Sequence, residues 1–547
     1  MDAILEQIRR APSLLDVFAL ADELAAWGAR LPGSVRSADR GRRALVDATR
    51  DRADAPTAIA AAHALARLPG TADDAWLAEL LGADDWLAPH VAWSTDLLDG
   101  AAGASAGGRV TLLVISPDYA SHLLPLLALA VPWAAAGERV VVATGPAVAP
   151  LVERAGFERA PLVLGRGSNP GVARPGDQPK GEDENLLAFF AATRAGMIPT
   201  LRLQAELRRN DLLWQPVEAA RATIEVEQAV APDAILVDHL AFGATLGLRA
   251  AGIPYADVVL GHPTALSVAG ERYGVPTAWP AAFRPDPGEL SGLERLADDV
   301  ARRFTDDWNR ALREVDPAAA QLDDAFGAHG DLVLYSYPAA LHDPRRAAGL
   351  PAAHVFLGSS VRDEALDADA AAWLARGTGR PLAVVSFGSF LSARADVLAT
   401  VAAALRDLGV RVALATGSAD PAALGLLPFD WLVRPFLPQV ALVRHAAVAI
   451  THAGNNGVTE ALSHGVPLLV LPFSTDQFAV AADLERTGLG RALDPNAVTV
   501  AEIREALEAL IADPYQGAAA DLGRDLRSDP GPARARRAMA AAFLTAA

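Results

Sequence analysis

The sequence of 547 residues contains no cysteine and a single lysine, Lys180. Without cysteine the chain can form neither disulfide bonds nor cysteine–metal sites, and this composition is typical of a cytoplasmic protein. Long apolar runs are missing as well. The longest candidate, residues 123–136, is too short to cross a bilayer and is interrupted by Pro125 and Pro132. The acidic, amphipathic start of the chain also lacks the apolar core of a secretory signal.

Positive charge is scarce, because 48 basic residues stand against 66 acidic ones and the net charge is −18. Such a balance argues against nucleic acid or an anionic membrane surface as the main partner. A hydrophobic content of 52% at this length predicts a globular protein with more than one domain.

The first hundred residues show helical apolar spacing and no strand pattern. Paired short segments at 58–70 and 73–94 resemble HEAT repeats, although they are too few for an independent repeat array. We therefore expect residues 1–100 to form a helical cap that packs on the main body or on a partner. Residues 101–108, AAGASAGG, are typical of a flexible linker.

From residue 110 onwards strand and helix patterns alternate, which predicts an α/β fold with parallel sheets. We expect two facing, doubly wound Rossmann-like domains with a cleft between them. The first covers residues 109–358 and receives the acceptor. A polar connection follows at 359–380, and the second domain, for the donor, covers 381–547 with terminal helices.

Two stretches of the first domain each allow two interpretations. The loop 165–184 is rich in glycine, proline and charge, so it is either a lid over the site or simply a mobile connection. Two amphipathic helices are expected next, at about 185–208 and 212–230. They present Phe189, Phe190 and Trp214, which are plausible acceptor contacts and equally plausible core residues.

The most informative stretch is 450–482, where a strand leads through a Gly/Asn-rich turn into a helix. In an open parallel sheet such a turn lies at the carboxyl end of the strand, where ligands bind. The unpaired N–H groups and the dipole of a new helix favour a phosphate. His452, Gly454, Asn456 and Gly457 lie at this helix start. The pattern therefore predicts a substrate linked to a nucleotide.

Three polar residues further along extend this site. Glu460, about two turns inside the helix, can accept hydrogen bonds from a ribose diol. Asp476 and Gln477 follow the next strand and suit the hydroxyls of a sugar. By themselves these last two residues would rather indicate a helix N-cap.

Two earlier turns of the same domain add weaker signals. Gly388 and Ser389 follow its first strand, where a glycine lets the backbone approach an anion and a hydroxyl can donate to it. Phe436 offers an aromatic face to a base, and Pro438 with Gln439 offers an amide to a nucleoside. Each turn alone could be purely structural. Their order on one edge of one sheet indicates a shared site.

Taken together, residues 435–482 resemble the nucleotide-sugar signature of family 1 glycosyltransferases with the GT-B fold. The shared pattern is aromatic-x-Pro-Gln, then Thr-His-x-Gly-x-Asn, then Glu-Ala-Leu-x-x-Gly-Val-Pro, then Asp-Gln. The similarity extends from about residue 110 to residue 537 and leaves the helical cap outside. Three positions depart from the family pattern and leave the identity of the sugar open: Asn455, Gly457 and Val480.

The resemblance implies a role for each motif residue. The diphosphate would meet His452, Asn456 and Gly457. The ribose would meet Glu460, and the nucleoside would lie against Pro438 and Gln439. The sugar would be held by Asp476 and Gln477.

The resemblance also implies a catalytic base in the first domain. The segment from Ser121 to Pro125 is similar to the family's Gly-His-x-x-Pro motif, whose histidine deprotonates the acceptor, and here this histidine is His122. Asp238, which follows the strand at 234–237, matches the family's aspartate partner and would orient the imidazole. His239 is a rival for either role, but successive strand residues point to opposite faces.

The function implied is that of an inverting glycosyltransferase of the bacterial natural-product, antibiotic-biosynthesis type. It would transfer a sugar from a UDP- or dTDP-linked donor to a hydroxyl of an apolar small molecule, with no metal or other cofactor. The alternatives are a glycolipid-forming enzyme at the membrane and a non-catalytic GT-B-like scaffold that acts through the helical cap. The sequence leaves open the identity of the acceptor, the sugar and the nucleotide. It also leaves open whether the chain forms a homodimer or binds a partner through the cap.

Overall fold

The computed structural model describes residues 109–171, 182–377 and 379–544. The expected helical cap, the linker at 101–108 and residues 172–181 of the glycine-rich loop therefore lie outside the described residues. Within the described ranges the chain forms two parallel sheets, of seven and six strands, each with helices on its faces. The prediction of two doubly wound α/β domains is confirmed.

The first sheet has the strand order β3-β2-β1-β4-β5-β6-β7, and all its neighbours are parallel. Its central strands are runs of Val, Ile, Leu and Ala because both of their faces are covered by helices. The strands are β1 Thr111–Ile115, β2 Arg139–Thr144, β3 Glu158–Pro161, β4 Ala234–Asp238, β5 Ala256–Val259, β6 Leu332–Tyr335 and β7 His354–Phe356.

Seven α-helices accompany this sheet in the described ranges: α1 Ala120–Ala135, α2 Ala149–Arg154, α3 Glu182–Ala195, α4 Met197–Leu212, α5 Pro216–Val230, α6 Phe242–Ala250 and α7 Pro287–Val315. Short 3₁₀ turns occur at Pro263–Ala265, Ala325–Gly327 and Pro344–Gly349. The single helix expected at 185–208 is split into α3 and α4 at Gly196, whose φ of +122° no helix accepts.

The second sheet has the order β10-β9-β8-β11-β12-β13, again fully parallel. The order reverses between β8 and β11, which opens a crevice at their carboxyl ends. The strands are β8 Leu382–Ser386, β9 Arg411–Ala415, β10 Leu432–Arg434, β11 Val448–Thr451, β12 Leu468–Val470 and β13 Gly490–Ala492. The helices are α8 Ala368–Ala375, α9 Gly388–Leu391, α10 Ala395–Leu405, α11 Gln439–Val443, α12 Asn455–Ser463, α13 Gln477–Thr487, α14 Val500–Ile511, α15 Tyr515–Ser528 and α16 Gly531–Met539, with a 3₁₀ turn at Pro421–Leu424 and a π-helical end at Ala540–Leu544.

The two domains exchange elements across their boundary. The last helix, α16, returns to the first domain, where Ala535 and Met539 join the core around α1, although the expected second domain extended to residue 547. In the opposite direction, Phe189 and Phe190 of α3 pack into a core formed mainly by the second domain. Each sheet thus carries a helical segment of the other domain, which stabilises their relative orientation.

A buried polar cluster also joins the domains. In the first domain, His262 Nε2 lies 3.0 Å from Asp483 Oδ2 of α13, and the Tyr337 hydroxyl donates to the same oxygen at 2.8 Å. Burial makes these contacts costly to break, because each partner would be left unpaired away from water. In the described part of the chain no helix is both long and apolar enough to span a bilayer.

Candidate active site

Two strand ends of the first sheet bring a histidine and an aspartate together. His122 lies in the first turn of α1, shortly after β1, and Asp238 ends β4, the strand adjacent to β1. His122 Nδ1 is 2.7 Å from Asp238 Oδ2. The other carboxylate oxygen accepts the Leu240 N–H at 2.9 Å, which fixes the carboxylate's rotation. Because Nδ1 is engaged, Nε2 is the ring nitrogen available to a hydroxyl in the cavity.

The surroundings of His122 favour its protonated form. Burial lowers the pKa of His122, but the charge and hydrogen bond of Asp238, with a smaller contribution from Asp476, outweigh this, so the pKa is raised above its usual 6.5. The Asp238 side chain is 1% exposed and that of His122 is 27% exposed. This combination suits a base that must hold a proton once it has removed it from a substrate.

His239 is engaged in a different manner. Its Nδ1 lies 2.9 Å from Asp257 Oδ2 and its Nε2 lies 3.1 Å from the carbonyl oxygen of Ala265. A carboxylate and a carbonyl oxygen both accept hydrogen bonds, so both ring nitrogens act as donors. Although burial lowers the pKa of His239, the charge and hydrogen bond of Asp257 raise it overall. Both ring nitrogens of His239 are therefore engaged, and neither is left to remove a proton from a substrate.

The turn between β11 and α12 forms the opposite wall. Gly454 occupies the N-cap position of α12, and no side chain caps the helix start. The N–H groups of this first turn are thus available to a ligand. Ala453, just before it, has a φ of +67°, and Thr475, in the turn after β12, has a φ of +50°. Left-handed backbone at non-glycine residues is costly and concentrates at functional sites.

His452 lies between two glycines at this helix start. A Cβ atom at Gly388 would come within 3.0 Å of His452 Cε1, and one at Gly454 within 2.4 Å of His452 Nε2. The two glycines therefore leave room for the ring. Burial lowers the pKa of His452 to about 4, although Asp476 opposes this. The lowered pKa favours the neutral ring, which can still donate a hydrogen bond to a ligand.

Glu460 is buried in α12, with both carboxylate oxygens engaged. Gln439 Nε2 donates to Oε2 at 2.8 Å, and Arg362 Nη1 donates to Oε1 at 3.0 Å. Sequence reasoning missed Arg362, because it lies in the connection between the domains, 98 positions before Glu460. The one available signal was the cluster of charge at 362–364 in an otherwise alanine-rich segment.

Asp476 and Gln477 have different surroundings in spite of being neighbours. One Asp476 oxygen accepts the backbone N–H of His262, from the first domain, at 2.6 Å. The Gln477 amide is occupied within its own turn, since its Oε1 accepts the N–H groups of Phe473 and Ser474. Asp476 occupies the N-cap position of α13, as the simpler interpretation expected, but its side chain makes no capping hydrogen bond.

The two asparagines at the start of α12 reach across to the first domain. Asn455 Nδ2 donates to the carbonyl oxygens of Leu260 at 2.6 Å and Ser336 at 2.8 Å. Asn456 Nδ2 donates to the carbonyl oxygen of Ser121, next to the catalytic candidate, at 2.7 Å. One hydrogen bond thus joins α12 directly to α1, and two more join α12 to the ends of β5 and β6.

One cavity of about 580 Å³ lies between the domains, and it is lined both by the His122–Asp238 pair and by the residues at the start of α12. Apart from Ser389 and Pro438, every residue that the sequence proposed for the site lines it: His122, Asp238, Gly388, Phe436, Gln439, His452, Gly454, Asn455, Asn456, Gly457, Glu460, Asp476 and Gln477. Pro438 forms the N-cap of α11 beside it. The side chain of Ser389 lies outside the described part of the structure.

Other residues considered from the sequence lie elsewhere. Trp214 lines a separate, open groove near α7, and Phe189 and Phe190 belong to the interdomain core described above. Phe436, by contrast, is 60% exposed at the cavity edge. Among the described residues no group of three or more His, Asp or Glu side chains is arranged to hold a metal ion.

Two facing parallel-sheet domains, with a His–Asp pair on one wall and an uncapped helix start on the other, define the GT-B class of glycosyltransferase fold. Solved structures agree with this architecture. The glycosyltransferase of kitacinnamycin aligns with a TM-score of 0.56 and 23% identity over 80% of this chain and 99% of its own. The calicheamicin glycosyltransferase CalG4 aligns with a TM-score of 0.53 and 21% identity over 81% and 100%.

Sequence comparisons find similar glycosyltransferases. Residues 343–530 match the family model described as UDP-glucoronosyl and UDP-glucosyl transferase. The 4'-demethylrebeccamycin synthase of Lentzea aerocolonigenes is 25% identical over 75% of this chain and 93% of its own length. The NDP-glycosyltransferase YjiC of Bacillus licheniformis is 32% identical, but the alignment covers only 25% of this chain and 35% of that protein. Residues 343–530 thus form a domain of this transferase family, and the chain as a whole is similar to glycosyltransferases of GT-B fold.

Proposed function

We propose that this protein transfers a sugar from a nucleoside diphosphate to a hydroxyl of an apolar small molecule, with inversion at the anomeric carbon. The observation that carries the proposal is the His122–Asp238 pair, which faces the uncapped start of α12 across a single cavity. A base for an alcohol and a cradle for a diphosphate are the two groups that this reaction needs. No step is assigned to a metal ion.

The donor half of the cavity supports binding of an activated sugar. The diphosphate would accept hydrogen bonds from the N–H groups of α12 and from the His452 ring. Phe436 offers its exposed face to the base, and Glu460 offers a carboxylate to the ribose. The similar glycosyltransferase VinC was crystallised with dTDP, and the family model names UDP-sugar transferases, so both nucleotides are candidates.

The acceptor half supports an apolar partner. Among the residues that the first domain contributes to the cavity lining are six apolar side chains, alongside the polar Arg208 and Tyr273: Leu124, Pro125, Leu240, Val259, Val275 and Pro276. Burial of an aglycone against them would supply binding energy without specifying polar groups. Relatives such as the oleandomycin glycosyltransferase of Streptomyces antibioticus are named for antibiotics. We therefore place the protein in natural-product glycosylation, in the cytoplasm that its cysteine-free composition favours.

The chemical step follows from this arrangement. His122 Nε2 removes the proton of the acceptor hydroxyl as the oxygen attacks the anomeric carbon from the face opposite the diphosphate. The new carbon–oxygen bond forms while the bond to the diphosphate oxygen breaks, and the nucleoside diphosphate leaves with that electron pair. Asp238 stabilises the imidazolium, and the start of α12 with His452 stabilises the growing charge on the diphosphate.

A panel of donors and acceptors tests the proposal. Purified protein is incubated with UDP- and dTDP-sugars and a set of hydroxylated aglycones, and products are detected by mass spectrometry. We expect at least one donor to yield a glycoside, and an α-linked donor to yield a β-linked product by proton NMR. Absence of both binding and turnover across a broad panel would refute the proposal, and retention of configuration would refute the mechanism.

A further inference from the structure

Arg362 joins the donor half of the cavity from an unexpected place. It lies in the connection between the domains, before α8, and yet it lines the cavity with Gln439 and Glu460. None of the proposed contacts to the donor involves Arg362. The inference that follows rests on the proposed function, because it concerns how the nucleoside part of the donor is recognised.

The guanidinium of Arg362 connects two carboxylates. Nη1 donates to Glu460 Oε1 at 3.0 Å, and Nη2 donates to Glu364 Oε1 at 2.9 Å. The second oxygen of Glu364 accepts the N–H of Val440, in the first turn of α11, at 2.8 Å. The arginine is therefore held at both ends of its planar fork, a geometry that lysine cannot reproduce.

Glu460 needs such a partner to stay ionised. Burial raises the pKa of Glu460, and Glu364 adds to this, whereas the charge of Arg362 and the hydrogen bonds from Gln439 and Arg362 lower it. Arg362 and Glu364 are the charged groups that face Glu460, and Gln439 is neutral. The pKa of Glu460 remains above its usual value even with the arginine in place. Loss of Arg362 would remove the largest contribution that lowers this pKa, so the neutral carboxyl would be favoured further.

We propose that Arg362 is a positioning residue for nucleoside recognition, which holds the Glu460 carboxylate in the rotation that leaves acceptor positions for the ribose hydroxyls. An ionised carboxylate has about four acceptor positions. Arg362 and Gln439 use one on each oxygen. The remaining positions on the two oxygens can then accept hydrogen bonds from neighbouring hydroxyls of the nucleoside.

A purely structural role for Arg362 would be to fasten the connection to the second domain. Two other arginines already do this: Arg444 Nη2 donates to Asp363 at 2.6 Å, and Arg434 Nη1 donates to Asp367 at 2.8 Å. Neither lines the cavity. The Arg434 side chain is 26% exposed, close to the 30% of Arg362. Arg434→Met is therefore a matched control, because it also removes the arginine partner of a carboxylate in the interdomain connection.

The test measures binding of UDP and dTDP by isothermal titration calorimetry, and the nucleotide that the wild type binds more tightly is used for all variants. Arg362→Met should weaken binding of this nucleotide about tenfold or more, since a hydrogen bond to a charged group is lost or misplaced. Arg362→Lys should recover only part of the affinity. Arg434→Met should bind like the wild type, and thermal melting should show that all variants are folded.

Two further readouts separate positioning from structural support. In Arg362→Met the affinity should fall more steeply on acidification than in Arg434→Met, because Glu460 binds a proton more readily once the charge of Arg362 is absent. In a Glu460→Gln background, Arg362→Met should cause little further loss of affinity, because the carboxylate through which Arg362 acts is already absent.

The outcomes distinguish the inference from the proposed function. Nucleotide binding by the wild type with unchanged affinity in Arg362→Met would overturn the inference alone. So would equal losses in Arg362→Met and Arg434→Met, or a full additional loss in the Glu460→Gln background. Failure of the wild type to bind UDP, dTDP or their sugars would overturn the proposed function, and the inference with it.

Discussion

The Asp238→Asn variant tests the role of His122 as a base, because it changes the group to which His122 Nδ1 is hydrogen-bonded. Leu240 donates its N–H to Asp238 Oδ1, so in Asp238→Asn the amide oxygen is expected at that position. The amide NH₂ group would then face His122 Nδ1, 2.7 Å away in the wild type. Because an NH₂ group can only donate, Nδ1 must accept and the imidazole proton moves to Nε2. The nitrogen that should remove the acceptor proton is then already protonated.

The size of the effect follows from this change of tautomer. Loss of general-base catalysis costs roughly a hundredfold to ten-thousandfold in rate, and the same carboxylate-to-amide change in a Ser-His-Asp triad lowers kcat about ten-thousandfold. We expect Asp238→Asn to fall in this range. Nucleotide affinity should change little, because Asp238 belongs to the first sheet and not to the donor half.

The pH dependence gives an independent check. In the wild type kcat/KM should fall as the pH drops through the raised pKa of His122, because only the neutral imidazole can accept a proton. Without the Asp238 charge, burial lowers that pKa, so the acidic limb should move to lower pH. Asp257→Asn, which alters the His239 pair instead, should leave the limb where it is. An unshifted limb in Asp238→Asn, or full activity, would refute the reasoning.

Two further predictions concern the donor site and the domain interface. His452→Ala should weaken nucleoside diphosphate binding about tenfold, because a donor to a charged oxygen is lost; unchanged affinity by calorimetry would contradict this. Asp483→Ala should lower the unfolding free energy by about 3–5 kcal/mol, since His262 and Tyr337 lose a buried partner. Asp407→Ala, which breaks an exposed pair, is the control in urea denaturation, and equal effects of the two would contradict the assignment.

Much of the fold and of the site could be predicted from the sequence because the informative segments are local. Central strands such as β1 and β4 are apolar and bounded by turn residues. The turn from His452 to Gly457 follows such a strand directly, so its position at the sheet edge was determined by the parallel α/β pattern. The His122–Asp238 contact joins two strand ends that this pattern also makes neighbours.

What the sequence did not indicate depends on distant contacts. The edge strand β3, Glu158–Pro161, has the sequence ERAP and no apolar pattern. Arg362 lies in a connection without periodicity, and its partner Glu460 is far along the chain. The lowered pKa of His452 arises from burial in the folded structure, and Asp476 meets the His262 N–H only because the two domains pack against each other.

The His122→Ala variant provides the most direct test of the central claim, which is that an imidazole of the first domain activates the acceptor while the second domain holds the nucleotide. With an unactivated hydroxyl acceptor and saturating donor, kcat should fall roughly a hundredfold to ten-thousandfold. The dissociation constant of the nucleotide should stay within about threefold of the wild type, a difference below one hydrogen bond to a charged group. Turnover close to that of the wild type would contradict the account.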